Sequence, residues 1–241
     1  MHLILGPDGL TTELNFKIPI VTLKNNKVNR VGVFVSGGLD AAALLCLIIS
    51  ELKATNRLDS TGITAFTIIK DDGSTYYAQR VIDKISNHFG ISITHVNNLL
   101  NDTDAYAAGR VGGGAIRKVY EDTHNDMILY MAVNQMAPDD VRPFSQTLKI
   151  KYQETDVFQS PFLSLHKPQI LDIYYKLDCK NIIQYTHSCT VQGLGSCNNC
   201  YSCKEREWGF SALGKEVIHT VDPDVEDISF GGTWQYSIQN H

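Results

Sequence analysis

No apolar run in this chain of 241 residues approaches the roughly 20 needed to cross a bilayer; the longest covers only 41–49. The start, MHLILGPDGLTTELNF, has no positive region, long apolar segment and small-residue cleavage site in sequence. No secretory signal and a cytoplasmic protein are therefore expected. An excess of positive charge is also missing. Lys and Arg total 21 against 26 Asp and Glu, leaving a net charge of −5. That argues against broad binding to a nucleic-acid backbone and leaves room only for a local basic cleft. There is no internal repeat and no low-complexity segment. No Gly-Lys-Ser/Thr closes a Walker loop, and His88, His95, His124, His166, His187 and His219 form no i, i+4 metal pair with an acidic partner. The six cysteines do not form a disulfide framework. Four crowd between 189 and 203, while Cys46 and Cys179 lie in apolar surroundings. This suits a reducing compartment, one metal cluster and two structural thiols.

What is present is ordinary globular material, 43% hydrophobic and 20% charged, enough for one large domain with a small appendage. The first half alternates strand-like and helix-like stretches. Residues 31–35 form a short Val-rich run, as a strand covered on both faces would. Residues 41–53 read as a helix apolar nearly all round at its start, and 63–69 as a second strand. Ser74 is placed to cap a helix whose Tyr77, Val81, Ile82, Ile85 and Phe89 share a face, with Gly90 to end it. Residues 91–96 give a third strand. The alternation predicts an α/β fold: a doubly wound parallel sheet with helices on both faces, whose ligands bind beyond the carboxyl ends of the strands. Residues 97–125, with Gly112 to Gly114, read as a loop, 126–136 as a helix, 167–177 as a helix with Pro168 in its first turn, and about 204–213 as a short helix closed by Gly214. We expect a sheet domain over 1–180 and a cysteine-organised, metal-binding appendage over 181–241.

Within that frame the stretch VFVSGGLDAAALL, residues 33–45, sets Ser36, Gly37, Gly38 and Asp40 between an apolar strand and an apolar helix. A glycine-rich turn there exposes successive backbone N–H groups at a partly positive helix N-terminus, an arrangement suited to phosphate. Ser36 adds a hydroxyl, and the glycines let the backbone approach a ligand closely. A carboxylate beside phosphates is repulsive unless it holds Mg²⁺ or caps the helix, which makes Asp40 the informative residue. A capped turn would account for a lone Gly-Gly pair; the full set behind a strand points to phosphate.

Cys189, Cys197, Cys200 and Cys203 follow the spacing Cys-x7-Cys-x2-Cys-x2-Cys, with Gly193 and Gly195 between them. Four thiolates at such spacings close a tetrahedral zinc site. Iron–sulfur clusters use short spacings as well, so spacing alone does not name the metal, although ligand type favours Zn²⁺. With four ligands there is no position for an activated water, and the role is structural.

VFVSGGLDA resembles the Ser-Gly-Gly-x-Asp-Ser signature of the PP-loop ATP pyrophosphatases, with Ala41 where that family carries a hydroxyl. Joined to the cysteine cluster, it is most similar to the 7-cyano-7-deazaguanine synthases (QueC-like). SPFLSLHKPQIL resembles their Pro-Leu-x-x-Leu-x-Lys-x-x-Ile segment, with Lys167 at the lysine. THSC resembles their Thr-Trp-Ser-Cys, with His187 for Trp, and CNNCYSCKERE their Cys-x-x-Cys-x-x-Cys-x-x-Arg, with Arg206 at the arginine. DVRPF is similar to their Asp-Cys-Arg-Pro-x-Phe, bringing in Arg142. THNDMILYMAVNQMA is similar to an Arg-Asn segment, with His124 and Asn125 at that pair. The family's Tyr-Gly-Gln-x-His segment and its Gly-x-Asn stretch are absent, so the substrate pocket is altered. The resemblance implies an adenine nucleotide alpha hydrolase-like fold and an ATP-dependent ligase that releases AMP and pyrophosphate. Such a ligase would adenylate a deazaguanine carboxylate, form an amide with ammonia and dehydrate it to a nitrile.

It also implies that Val35, Ser36, Gly37, Gly38, Leu39, Asp40 and Ala41 hold ATP and Mg²⁺, with Ser36, Asp40 and Lys167 catalytic. His124, Asn125 and Arg142 would face the substrate, the four cysteines would bind Zn²⁺, and the protein would be a homodimer. No cysteine near the N-terminus suggests an amide-hydrolysing nucleophile, so ammonia would arrive free or from a partner. Two rival readings are a PP-loop enzyme with another acceptor, such as a nucleobase in DNA or RNA, and a silent nucleotide-binding module serving a partner complex. The acidic balance disfavours a long polynucleotide.

Overall fold

The computed structural model describes residues 1–20, 22–23, 26–27, 29–68, 73–97, 127–141, 158–190 and 195–221. Two small antiparallel ladders come first, β1 (His2–Leu5) with β2 (Thr12–Asn15), then β3 (Thr22–Leu23) with β4 (Asn26–Lys27). The main sheet has five strands: β5 (Arg30–Phe34), β6 (Gly62–Phe66), β7 (Thr94–Val96), β8 (Ile128–Tyr130) and β9 (Phe158–Gln159). Their order is β7-β6-β5-β8-β9, and every neighbouring pair is parallel. The chain steps outward from β5 on one side and then begins again at β8 on the other. The switch point of the sheet therefore falls at the carboxyl end of β5, where open α/β sheets bind ligands.

β5 alternates as a strand buried on both faces must. Val31 and Val33 enter the larger core, whereas Phe34 joins Phe66, Met127, Leu129 and Phe158 in a smaller cluster on the opposite face. Gly32 lies where a Cβ would come within 2.5 Å of Leu129 Cδ2 and 2.8 Å of Phe66 Cε2, so the aromatic layer forbids a side chain there. The larger core takes α1 (Leu39–Ala54), α2 (Ser74–Phe89), α3 (Lys167–Lys176) and Phe210 of α4 (Tyr201–Ala212). None of the described helices contributes to the smaller cluster. Residues 41–49 of α1 are buried throughout, as the unbroken apolar run predicts, each large side chain contributing about 1.5–3 kcal/mol.

Two sequence expectations are corrected. The segment 126–136 is not a helix: Ile128–Tyr130 is a strand paired in parallel with β5. Its run of consecutive apolar residues arises because Ile128 and Tyr130 face one core while Met127 and Leu129 face the other. A short run buried on both faces has no period by which to tell strand from helix. Ser74 is also not a cap. It is the first residue of α2, and Gly73, in the left-handed region at φ +75°, precedes it as the cap position. Gly90, at φ +67°, ends α2 as expected, and Pro168 lies one residue inside α3. The loop expected over 97–125 falls almost entirely outside the described residues.

Candidate functional site

The turn begins where β5 runs out. Val35 still donates its N–H to Phe66 O at 2.8 Å, and the buried Thr67 hydroxyl donates to Val35 O at 2.8 Å, fixing the strand end. The chain then reverses through Gly37 at φ +76°, where a Cβ would stand 2.5 Å from Tyr77 Cβ and 2.6 Å from the Ala78 nitrogen. Only glycine meets both demands. Gly38 is the N-cap of α1, and no side chain caps the helix. The first-turn N–H groups are thus left for whatever enters the space above them. That space is a cavity of about 160 Å³ lined by Ser36, Gly38, Leu39 and Asp40 from the turn and Lys167 from α3. His187, Ser188 and Thr190 line it from the segment leading into the cysteines, with Ser202 and Glu205 from α4. It is smaller than a pocket enclosing a whole nucleotide and of a size for its phosphate end.

Lys167 reaches across the cavity floor. Its Nζ donates to both carboxylate oxygens of Asp40 at 2.6 Å and pairs with Glu205 Oε2 at 3.1 Å. Lys167 and Glu205 are nearly enclosed, at 7% and 9% side-chain exposure, while Asp40 at 23% meets the cavity. Burial opposes the charge on Lys167, yet the two carboxylates more than offset it and hold its pKa above the ordinary lysine value. Burial raises the Asp40 carboxyl, and the neighbouring Glu205 charge adds to that against the pull of Lys167. Two carboxylates and one ammonium leave a single negative charge here, a setting that suits a divalent cation. Of the two carboxylates Asp40 is the more exposed and could supply oxygen ligands to one.

The cavity wall is locked to the turn. His187 N–H donates to Gly37 O at 2.9 Å, and the His187 ring stacks on Tyr77 with centroids 4.0 Å apart and planes 5° from parallel. Tyr174 O–H donates to Leu39 O at 2.5 Å from full burial. Arg206 is buried and spreads its N–H groups over the carbonyls of Ile183, Thr186 and Ile218 and the hydroxyls of Thr186 and Ser188. Burial lowers its pKa to about 10, still charged at neutral pH. Gly209 lets α4 lie against α3, since a Cβ there would come within 2.6 Å of Lys167 Cγ.

Behind this wall the Sγ atoms of Cys189, Cys197, Cys200 and Cys203 all lie within 4.8 Å of one another, with Cys197–Cys203 at 4.0 Å and Cys200–Cys203 at 3.5 Å. Thiolates around one tetrahedral ion with metal–sulfur bonds of about 2.3 Å stand about 3.8 Å apart, so the four fit a single metal ion. Burial acts to raise the Cys200 thiol. Hydrogen bonds from the Thr190 and Cys203 backbone and from the Cys203 and Cys197 thiols outweigh it and bring it down to about 6. A thiol so lowered is readily a metal ligand.

Of the residues singled out in the sequence, Ser36, Gly38, Leu39, Asp40 and Lys167 meet at the cavity, and the four cysteines meet one another. Val35, Gly37 and Ala41 are buried beneath the turn rather than lining it. His124, Asn125 and Arg142 lie outside the described residues. Glu205, Ser202 and Tyr201 escaped notice, as did the pairing of His187 with Tyr77. For Glu205 a signal existed: a carboxylate beside Arg206, four residues after Tyr201 and two after a cysteine.

A glycine-rich turn thus sits at the switch point of a parallel α/β sheet, with a cavity over the uncapped start of α1. Residues 115–214 match the family model described as Queuosine biosynthesis protein QueC. That match covers less than half of the chain: it takes in β8, β9, α3, the cysteines and α4, and leaves out the 36–40 turn. No curated protein matches the sequence. Among solved structures it is similar to the U34-tRNA thiolase NcsA from Methanococcus maripaludis with its 4Fe–4S cluster. Identity is 15%, 77% of this chain and 69% of that one are covered, and the TM-score is 0.44. Among the described residues no helix is long and apolar enough to cross a membrane.

Proposed function

We propose that the chain is an ATP-dependent ligase of the 7-cyano-7-deazaguanine synthase type, releasing pyrophosphate and AMP. The strongest support is the meeting of Lys167 and Asp40 at 2.6 Å on the floor of the cavity, beneath the uncapped start of α1. One residue comes from the turn, the other from the segment that matches the QueC family. In this reading the N–H groups of the first turn of α1 and the Ser36 hydroxyl take the β- and γ-phosphates. Asp40 would hold a Mg²⁺ ion, which would supply charge neutralisation there, and Lys167 would offset charge as the bond between the α- and β-phosphates breaks. A carboxylate oxygen of the deazaguanine acid attacks the α-phosphorus and pyrophosphate leaves. Ammonia then displaces AMP to give the amide; a second ATP adenylates the amide oxygen with loss of pyrophosphate, and that oxygen leaves with AMP as the nitrogen loses its protons to give the nitrile.

Pairing within 4.8 Å supports one Zn²⁺ at the four cysteines rather than a cubane. A cubane spreads its cysteine ligands over four irons and so separates their sulfurs further. The ion would brace the wall formed by His187 to Thr190 and take no part in bond making. A homodimer and an external ammonia supply belong to the same proposal.

Incubation with Mg·ATP, the deazaguanine carboxylate and ammonium salt, followed for pyrophosphate and AMP, tests it. Release that requires the small acid is the expected result. Release only with tRNA or DNA would replace the acceptor, and binding without turnover would reduce the protein to a nucleotide-binding module.

A further inference from the structure

A divalent cation at Asp40 would share the carboxylate with an ammonium that is already there. Both of its oxygens are engaged by Lys167 Nζ at 2.6 Å. A divalent ion at Asp40 repels that ammonium and competes with it for the same oxygens, and Lys167 is only 7% exposed. A buried ammonium stripped of its carboxylate is strongly disfavoured, so an exchange that frees Asp40 is favoured when another anion keeps Lys167 paired. Glu205 meets that requirement. Its Oε2 is already 3.1 Å from Lys167 Nζ, and its Oε1 accepts the Tyr201 hydroxyl at 2.9 Å. Tyr201 in turn is fixed by the Ala137 N–H at 3.2 Å. Glu205 also lies deeper than Asp40, at 9% against 23% side-chain exposure. The hollow beside Gly209 keeps the lysine stem against α4, on Glu205's own helix.

We propose that Glu205 is a positioning residue that takes over Lys167 when a divalent cation claims Asp40, so that the same side chain releases the metal ligand and stays beneath the phosphates. The inference rests on the Mg·ATP reading above. In the exchange the two Lys167–Asp40 hydrogen bonds break, Asp40 turns to the cation, and Lys167 keeps Glu205 while the two N–H groups released become free for phosphate oxygens. No proton moves.

The test is a Mg²⁺ titration of the full chain in the presence of α,β-methylene-ATP, read as the Mg²⁺ midpoint for analogue binding. The expected result is a midpoint raised about tenfold in E205Q, because Lys167 then has no second anion and clings to Asp40. A midpoint within about twofold of the parent overturns the proposal. Should E205Q fail to fold, Y201F, which removes only the hydroxyl orienting Glu205, carries the same test with an expected rise of about threefold; no rise overturns the proposal. A crystal structure of the parent with Mg²⁺ and the analogue separates positioning from direct ligation. Mg²⁺ on Asp40 with Lys167 Nζ on Glu205 supports the proposal. Mg²⁺ on Glu205, or Lys167 still on Asp40, overturns it. If the parent binds no analogue at any Mg²⁺ concentration, the Mg·ATP reading itself falls; if it binds and E205Q is unshifted, only the role of Glu205 does.

Discussion

Gly37 carries two constraints that no other residue type satisfies together: a left-handed φ of +76° and backbone packed against Tyr77 and Ala78 within 2.6 Å of where a Cβ would be. Gly37→Ala is therefore expected to cost at least about 2 kcal/mol in urea unfolding and to abolish nucleotide binding. A neutral outcome would mean that the turn does not have this shape. His95 supports the same strand end from the other side. Its ring nitrogens contact Thr67 Oγ1 at 2.8 Å and Gln79 Oε1 at 2.6 Å, and Thr67 holds Val35 O. Burial lowers the His95 pKa, with Asp83 opposing weakly. The folded state thus disfavours the charged ring, and the unfolded chain takes up its proton at higher pH. The contribution to stability is complete above the unfolded value near 6.5 and is lost as pH falls through it. Melting temperatures between pH 7.5 and 5.5 should therefore fall more steeply for the parent than for His95→Gln; parallel slopes would refute the assignment.

At the scale of elements, α4 joins the cysteines to the cavity. Its N-cap is Cys200, Cys203 lies in its first turn, and Glu205 and Arg206 follow on the next. Metal bound at the four sulfurs would hold the helix start and so the height at which Glu205 meets Lys167. Cys203→Ser, or removal of metal by a chelator, is expected to lower stability by about 2 kcal/mol, roughly 4–8 °C in Tm for a chain of this size. Circular dichroism should show helix lost with it. An unchanged Tm after verified metal loss would leave the sulfurs without a structural role. β8 shows why one element was misread: a segment of three residues, buried on both faces, offers neither the alternation of a half-exposed strand nor the 3.6-residue stripe of a surface helix.

Across the whole molecule the larger core runs from Leu5 through Phe210 without a break, so residues after 180 share the apolar interior of the sheet. Ligand binding at the turn should consequently be felt throughout. Mg·ATP at 100 times its Kd is expected to add about 2.7 kcal/mol, seen as a raised Tm, and Lys167→Met should abolish the rise. A shift that persists in Lys167→Met would place the nucleotide elsewhere.

The sequence by itself determined the strand–turn–helix unit at 30–54, the run of parallel strands that follows, the end of α2 at Gly90, and the grouping of four thiols. Each is written in neighbours a few residues apart, where sterics, periodicity and chelate spacing act locally. Only the tertiary structure decided that Lys167 meets Asp40 across 127 residues, that Glu205 closes the pair from behind, and that His187 stacks on Tyr77 beside the turn. Those meetings depend on how helices settle on a shared core. Packing is a property of surfaces made by many residues at once, and no local pattern encodes which charged side chain a distant helix will carry to the spot.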